Sequence, residues 1–195
     1  MRLFAALVLP AEVVAAVTAA VADARDVDPT LRWTSPAQWH LTVAFFGDVP
    51  AERLDDLQTR LSRAARRAPC LSLCLGGPGT FGSSRRSRVV WLGVQGDTDA
   101  LRALAASCRA AGRRIKLTGD GVGASARFRP HVTLARLTPP GETSAVVAAL
   151  ARADRPCWRA ETVTLVRSDL GAGPHGRAAH TALTTFALGS DSDAG

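Results

Sequence analysis

Two short apolar segments share one pattern, and together they restrict the folds open to this chain. "HLTVAF" begins at His40 and "HVTLAR" begins at His131, and each places a threonine two residues after its histidine. Side chains alternate between the faces of a strand, so His40 and Thr42 share one face, and His131 and Thr133 do the same. Each segment is therefore interpreted as a strand with an aliphatic core face and a His-Thr face open to a groove.

The two segments also occupy matching positions in a repeated order of elements. A strand at "RLFAALVLP" and a helix at "AEVVAAVTAAVADA" precede the first segment. A strand at "RVVWLGV" and a helix from Thr98 to Ala111 precede the second. A repeat as long as the separation between His40 and His131 is typical of two half-domains related by a pseudo-twofold axis. Such an axis would set the two His-Thr pairs opposite one another.

The other segments complete an α+β pattern. Leucines three and four residues apart predict a helix in "PAERLDDLQTRLSRAARR", and a second short helix is expected from Ser144 to Ala153. Strands are expected at "CLSLCLGG", "AETVTLVRS" and "HTALTTFAL", with "GPGTFGSSRRS" as a loop. We predict a bilobal α+β fold with two pseudo-twofold-related antiparallel sheets and flanking helices around a central cleft. One domain should span residues 1–189, and residues 190–195 should be a disordered tail.

Composition excludes several classes of protein. Hydrophobic residues make up 47% of the chain and charged residues 21%, as in a globular protein. There is no apolar run long enough to cross a membrane as a helix. The apolar N-terminus superficially suggests a secretory signal, but Pro10 and Glu12 interrupt it, and a strand followed by a helix fits it better. The net charge of +7, mostly from arginine, suits a polyanionic partner, although genomic base composition would also explain it.

The four cysteines suggest a reducing compartment. Cys70, Cys74, Cys108 and Cys157 lack the paired spacing of zinc knuckles and are too sparse for a disulfide scaffold. We therefore expect free thiols and a cytoplasmic protein. Cys108 falls on the apolar face of its predicted helix, where a free thiol packs as a small hydrophobe.

Two facing His-Thr pairs suit in-line displacement at phosphorus. A neutral imidazole accepts a proton from the nucleophile, and a protonated imidazole on the far side donates one to the leaving oxygen. The threonine hydroxyls donate to the non-bridging oxygens. No metal or other cofactor is expected, because a metal site would need a third ligand and the nearest acid, Asp48, follows the end of the first strand.

These motifs, together with "MRLFAALVLPAE" and "SRVVWLGV", closely resemble the 2H phosphoesterase superfamily. Within it the chain is most similar to the bacterial RNA 2′,3′-cyclic phosphodiesterases, also called the 2′-5′ RNA ligase family. The resemblance implies metal-independent hydrolysis of a 2′,3′-cyclic phosphate at an RNA 3′ end to a 2′-phosphomonoester. It implies that His40 is the proton donor, that His131 is the proton acceptor, and that Thr42 and Thr133 hold the phosphate.

Two further residues have both a functional and a structural interpretation. By the resemblance, Arg136 reaches the substrate phosphate or base; otherwise it is a solvated charge at a strand end. The family counterpart of Phe45 contacts the base, yet simple alternation places Phe45 with Leu41 on the core face. The basic "SSRRSR" stretch, residues 83–88, is either an RNA contact or a solvated loop.

One departure lies near the C-terminus. Relatives often carry an arginine followed by tyrosine there, whereas this chain has "GRAAHTAL" with His180 at the expected tyrosine. His175, in a glycine-rich stretch, is interpreted as exposed and without a role.

Two other functions remain open at the level of sequence. The same acid and base would serve 2′-5′ joining of RNA ends, and a basic cleft without turnover would be an RNA-binding module. The intact histidines and threonines favour an enzyme over the module. The expected partners are RNA 3′ ends or nucleotides with a 2′,3′-cyclic phosphate, with no membrane partner, and the chain is expected to be a monomer.

Overall fold

A computed structural model describes residues 1–117, 128–173 and 176–189, so the predicted tail at residues 190–195 lies outside the described residues. The described residues form nine strands and four α-helices, in the following order along the chain. The elements are β1 (Arg2–Val8), α1 (Ala11–Val27), β2 (Arg32–Trp33), β3 (His40–Asp48), α2 (Leu54–Arg66), β4 (Leu71–Phe81), β5 (Ser87–Gly96), α3 (Thr98–Arg114), β6 (His131–Gly141), α4 (Ser144–Leu150), β7 (Cys157–Ala160), β8 (Thr162–Asp169) and β9 (Ala179–Ala187).

The helices form where the apolar spacing predicts them, and each buries one face. In α2 the buried residues are Leu57, Leu61 and Ala65, spaced four apart. In α3 the buried stripe includes Leu101, Leu104 and Cys108. Cys108 is a free, fully buried thiol, as expected, and burial raises its pKa to about 12.

The strands are antiparallel and form a single path, in the order β7-β4-β5-β6-β3-β1-β8-β9, with β2 added beside β6. The two His-x-Thr strands, β3 and β6, are therefore neighbours at the centre, with three further strands on each side. The pattern is symmetrical: β1 flanks β3 and leads into α1, whereas β5 flanks β6 and leads into α3. The α+β class and the pseudo-twofold arrangement are confirmed.

The two predicted sheets are not fully separate, because a narrow connection joins them. Strands β3 and β6 pair through one residue pair, Leu41 with Val132, and both side chains are fully buried. On each side of this junction the two halves form a curled sheet with the helices packed on it. The junction brings the starts of β3 and β6, where the histidines lie, next to each other.

Two strands differ from the predictions, and a 3-10 turn at residues 36–38 lies just before β3. Strand β4 continues through the predicted Gly-rich loop to Phe81, because Pro78, Gly79 and Thr80 pair with β5 after an irregularity. Strand β7, which was not expected, adds an edge to β4.

The expectation that all cysteines are free is wrong for one pair. Cys74 of β4 and Cys157 of β7 are directly opposite each other in the strand register and form a disulfide. The two residues are 83 positions apart in the sequence, so no local spacing could predict this contact. The cysteines therefore no longer support a reducing compartment.

Within the described ranges, no helix has the length and hydropathy needed to cross a membrane.

Candidate active site

Both His-x-Thr strands contain a β-bulge at the same position of the motif. Opposite β1, the register of β3 skips Val43, and opposite β5, the register of β6 skips Leu134. A bulge inserts one extra residue and so reverses which face the following side chains occupy. The burial patterns of the two strands are accordingly the same over their first seven residues, with two adjacent buried residues at the bulge.

The bulges decide which face of β3 Phe45 occupies. Simple alternation places Phe45 on the core face, whereas in the structure Phe45 is 44% exposed and Phe46 is fully buried instead. Phe45 therefore shares a face with His40 and Thr42. Arg136 occupies the equivalent position of β6 and joins His131 and Thr133 for the same reason.

Thr34, which directly follows β2, stabilises the bulge in β6. Its hydroxyl lies 3.0 Å from the carbonyl oxygen of Thr133 and 2.8 Å from that of Leu134. Its backbone N–H also donates to the Leu134 carbonyl, at 2.8 Å. The indole N–H of Trp39 in turn donates to the Thr34 hydroxyl, at 2.9 Å, which links the bulge to the residue before His40. Thr34 thus connects the two motifs.

One cleft of about 1020 Å³ contains all six predicted site residues. His40, Thr42 and Phe45 line it from β3, and His131, Thr133 and Arg136 line it from β6. Asp48, the last residue of β3, also lines the cleft, although the sequence interpretation placed it beyond the strand end. Among the described residues, no group of three or more His, Cys, Asp or Glu side chains is arranged to hold a metal ion.

His40 lies in an aromatic box. Its ring stacks on Phe4 of β1, with 4.7 Å between ring centroids. His180 of β9 meets His40 edge to face at 5.2 Å and meets Phe4 at 5.1 Å. These contacts fix the plane of the His40 ring, since packing on two sides leaves it little rotational freedom.

His131 has its own aromatic neighbours. Phe81 of β4 meets its ring edge to face at 4.8 Å, and Trp91 of β5 lies 6.0 Å away. The Nδ1 of His131 is 2.7 Å from the carbonyl oxygen of Arg129. A carbonyl only accepts, so Nδ1 carries the proton, and Nε2 is the ring nitrogen left to act in the cleft.

The surroundings of the two histidines favour neutral imidazoles. The pKa of His40 is lowered to about 4, mainly by burial and then by the charge of His180, with smaller contributions from His131 and Arg136 and against a backbone hydrogen bond to Gln38 that raises it. Burial also lowers the pKa of His131, with Arg136 adding to the effect and the Arg129 carbonyl opposing it. An anion bound between the rings would reverse these charge effects.

The charged residues of the cleft are mainly basic. Within the described part of the chain, Arg2, Arg32, Arg136 and Arg177 line it together with a single acid, Asp48. This balance raises the local concentration of anions and suits a phosphate-containing ligand.

Several cleft residues could not be found from the motifs. His180 carried only a weak signal, as the residue in place of an expected tyrosine, yet it contacts His40 and lines the cleft. Burial, followed by the charge of Arg136, lowers its pKa, and its buried Nδ1 has no hydrogen-bond partner among the described residues. Phe4 gave no signal, because β1 is buried throughout its five central residues and shows no alternation. His175 lies outside the described residues.

The two bulged His-x-Thr strands are neighbours and line one basic cleft. The family model of the 2′-5′ RNA ligase superfamily matches residues 10–172. The chain belongs to this superfamily.

Curated members of the superfamily resemble the chain over different lengths. A Thermus thermophilus protein named RNA 2′,3′-cyclic phosphodiesterase is 34% identical, over 96% of this chain and 90% of the relative. A Geobacillus stearothermophilus protein of the same name is 32% identical over 68% of this chain. The match spans only 41% of that relative, and 53% of a Thermotoga maritima relative that is also 32% identical.

Solved structures from the superfamily share the fold. The crystal structure of the Thermus thermophilus protein TT0787 covers 98% of this chain and all of its own, with a TM-score of 0.77 and 31% identity. The structure of Escherichia coli LigT complexed with 3′-AMP covers 96% of each chain, with a TM-score of 0.67 and 29% identity. A further LigT structure is complexed with phosphate, with a TM-score of 0.69.

Proposed function

We propose that this protein is a metal-independent RNA 2′,3′-cyclic phosphodiesterase, which hydrolyses a terminal 2′,3′-cyclic phosphate to a 2′-phosphomonoester. One observation carries the proposal: two His-Thr pairs on adjacent bulged strands line the same cleft. Binding of RNA alone would be served by arginines and would not require two imidazoles in the same cleft. The names of the relatives support the same reaction.

In the proposed reaction His131 is the base. Its Nε2 accepts a proton from water as the water oxygen attacks phosphorus. His40 is the acid: it donates a proton to the 3′ oxygen as the bond between phosphorus and that oxygen breaks. The products are a 2′-phosphomonoester and a 3′-hydroxyl, and the two histidines return to their starting states by exchanging protons with water. No external oxidant or further reactant is needed.

The acid form of His40 has to be created by the substrate. With a pKa of about 4, His40 is neutral near pH 7. A cyclic phosphate brings a negative charge next to the ring, which favours the imidazolium form. Thr42 and Thr133 donate hydrogen bonds to the non-bridging oxygens, and Arg136 compensates the charge that develops there.

Phe45 is proposed to bind the base. Its ring is 44% exposed in a cleft where most neighbouring aromatic rings contact a histidine. A large exposed aromatic ring next to a phosphate site is suited to stacking on a nucleobase.

The proposal has three further parts. The protein is a monomer, residues 1–189 form one domain with an internal duplication, and the protein is located in the cytoplasm, where RNA ends arise.

The test is turnover of a 2′,3′-cyclic nucleotide and of a short RNA with a 2′,3′-cyclic end, in the presence of EDTA. His40→Ala and His131→Ala are expected to reduce kcat by at least about a hundredfold each. Thr162→Ala, at the exposed start of β8, is the matched control and should keep full activity. No turnover by the unsubstituted protein, or turnover that survives both histidine substitutions, would refute the proposal.

A further inference from the structure

Arg32 and Arg136 lie directly opposite each other on neighbouring antiparallel strands. Arg32 of β2 pairs with Arg136 of β6 in the strand register, while Trp33 pairs with Ala135. Directly opposite residues have their side chains on the same face of the sheet. Trp33 and Ala135 are buried, and both arginines are exposed and line the cleft.

This arrangement is unfavourable without an anion. Like charges directly opposite each other in a sheet are destabilising. In residues 1–117, 128–173 and 176–189, neither arginine forms an ion pair with a carboxylate. A phosphate at Arg32, next to the reacting phosphate at Arg136, would offset this repulsion by charge-assisted hydrogen bonds to each guanidinium group.

A second groove begins at this pair of arginines. It has a volume of about 320 Å³ and shares Arg32, Arg136 and Thr138 with the main cleft. The two acids that line it among the described residues already accept hydrogen bonds from neighbouring donors. Asp28 accepts hydrogen bonds from the backbone and hydroxyl of Thr30, and Glu142 accepts from the first backbone N–H groups at the start of α4.

We propose that Arg32, beside Arg136, forms a second anion subsite that binds the phosphodiester on the 5′ side of the terminal nucleotide. The preferred substrate is then an RNA end and not a free cyclic mononucleotide. This inference rests on the proposed function, in which Thr42 and Thr133 hold the reacting phosphate. Arg32 is left to contact the next phosphate of the RNA. The second groove gives the RNA strand a path out of the cleft.

The experiment compares three substrates: a cyclic mononucleotide, a dinucleotide with the same cyclic 3′ end, and that dinucleotide with an uncharged methylphosphonate linkage. The protein variants are Arg32→Gln and the control Arg63→Gln. Arg63 is exposed on α2 and lines neither cavity, and its substitution makes the same change in net charge.

We expect the unsubstituted protein to have about a tenfold higher kcat/KM for the charged dinucleotide than for the methylphosphonate analogue, mainly through KM. Arg32→Gln should remove this preference, because it lowers kcat/KM for the charged dinucleotide by a larger factor than for the mononucleotide or the methylphosphonate analogue. The charged dinucleotide should also show the steeper dependence on salt, by about 0.7 in logarithmic slope for one added phosphate contact.

Two outcomes would overturn the inference while leaving the proposed function in place: an equal loss on all three substrates, or no loss on any. The equal loss would assign Arg32 to the reacting phosphate or to the fold. If the unsubstituted protein turned over none of them, the proposed function would fail instead. In that case calorimetry would measure how tightly the same two variants bind the dinucleotide 2′-phosphate and its methylphosphonate analogue. Those affinities would test the Arg32 subsite independently of catalysis.

Discussion

Replacing His40 with glutamine should make the protein more resistant to acid unfolding. The His40 imidazole has a pKa of about 4 in the folded chain and about 6.5 when exposed. Between these two pH values the unfolded state binds the proton more tightly than the folded state does. The contribution of His40 to stability is therefore complete above about pH 6.5 and is lost progressively as the pH falls towards 4.

The expected size of the effect follows from this shift. About 2.5 pKa units correspond to about 3 kcal/mol of unfolding free energy in the fully acid limit. Between about pH 8 and about pH 5, before general acid unfolding sets in, the same linkage lowers the unfolding free energy by about 2 kcal/mol. The largest cause is burial of the ring in the box formed with Phe4 and His180, so the effect belongs to the folded structure.

Urea unfolding at about pH 8 and about pH 5 measures the effect. The unsubstituted protein should lose about 2 kcal/mol more than His40→Gln does between the two conditions. Saturating inorganic phosphate should reduce this difference, because an anion in the cleft raises the pKa of His40. Parallel pH dependences for the two proteins, with and without phosphate, would refute the assigned environment of His40.

Two other predictions concern residues outside the motifs. His180→Gln removes a charge that lowers the pKa of His40, so the midpoint of the His40 ring signals in an NMR pH titration should move upwards; an unchanged midpoint would contradict the contact. Thr34→Val removes the acceptor of the Trp39 indole and should lower the unfolding free energy by about 1–3 kcal/mol, together with kcat/KM. Thr34→Ser keeps the hydroxyl and should retain both, and a loss in Thr34→Ser as large as that in Thr34→Val would contradict the role assigned to the hydroxyl.

Much of the fold follows from patterns that are local in the sequence. The helices α2 and α3 follow from apolar residues three and four apart, and the order of elements follows from the repeated strand-helix series. The paired motifs also led to His40, Thr42, His131 and Thr133, all of which line one cleft. These predictions succeed because each depends on a periodicity that one helix or strand imposes on its own residues.

Other features are decided only when strands meet. The bulges that turn Phe45 and Arg136 into the cleft depend on how β3 and β6 pair with β1 and β5, and no alternation within a single strand contains that information. The Cys74–Cys157 disulfide likewise depends on β7 lying beside β4.

The composition of the cleft has the same origin. His180 comes from a strand at the far edge of the sheet, and it contacts His40 because the sheet curls. Arg32 faces Arg136 because a two-residue strand adds to the centre of the sheet. The sequence by itself determined which two strands carry the His-Thr pairs. The tertiary structure decided which charges and rings surround them, since those neighbours are set by strand pairing over long separations in the chain.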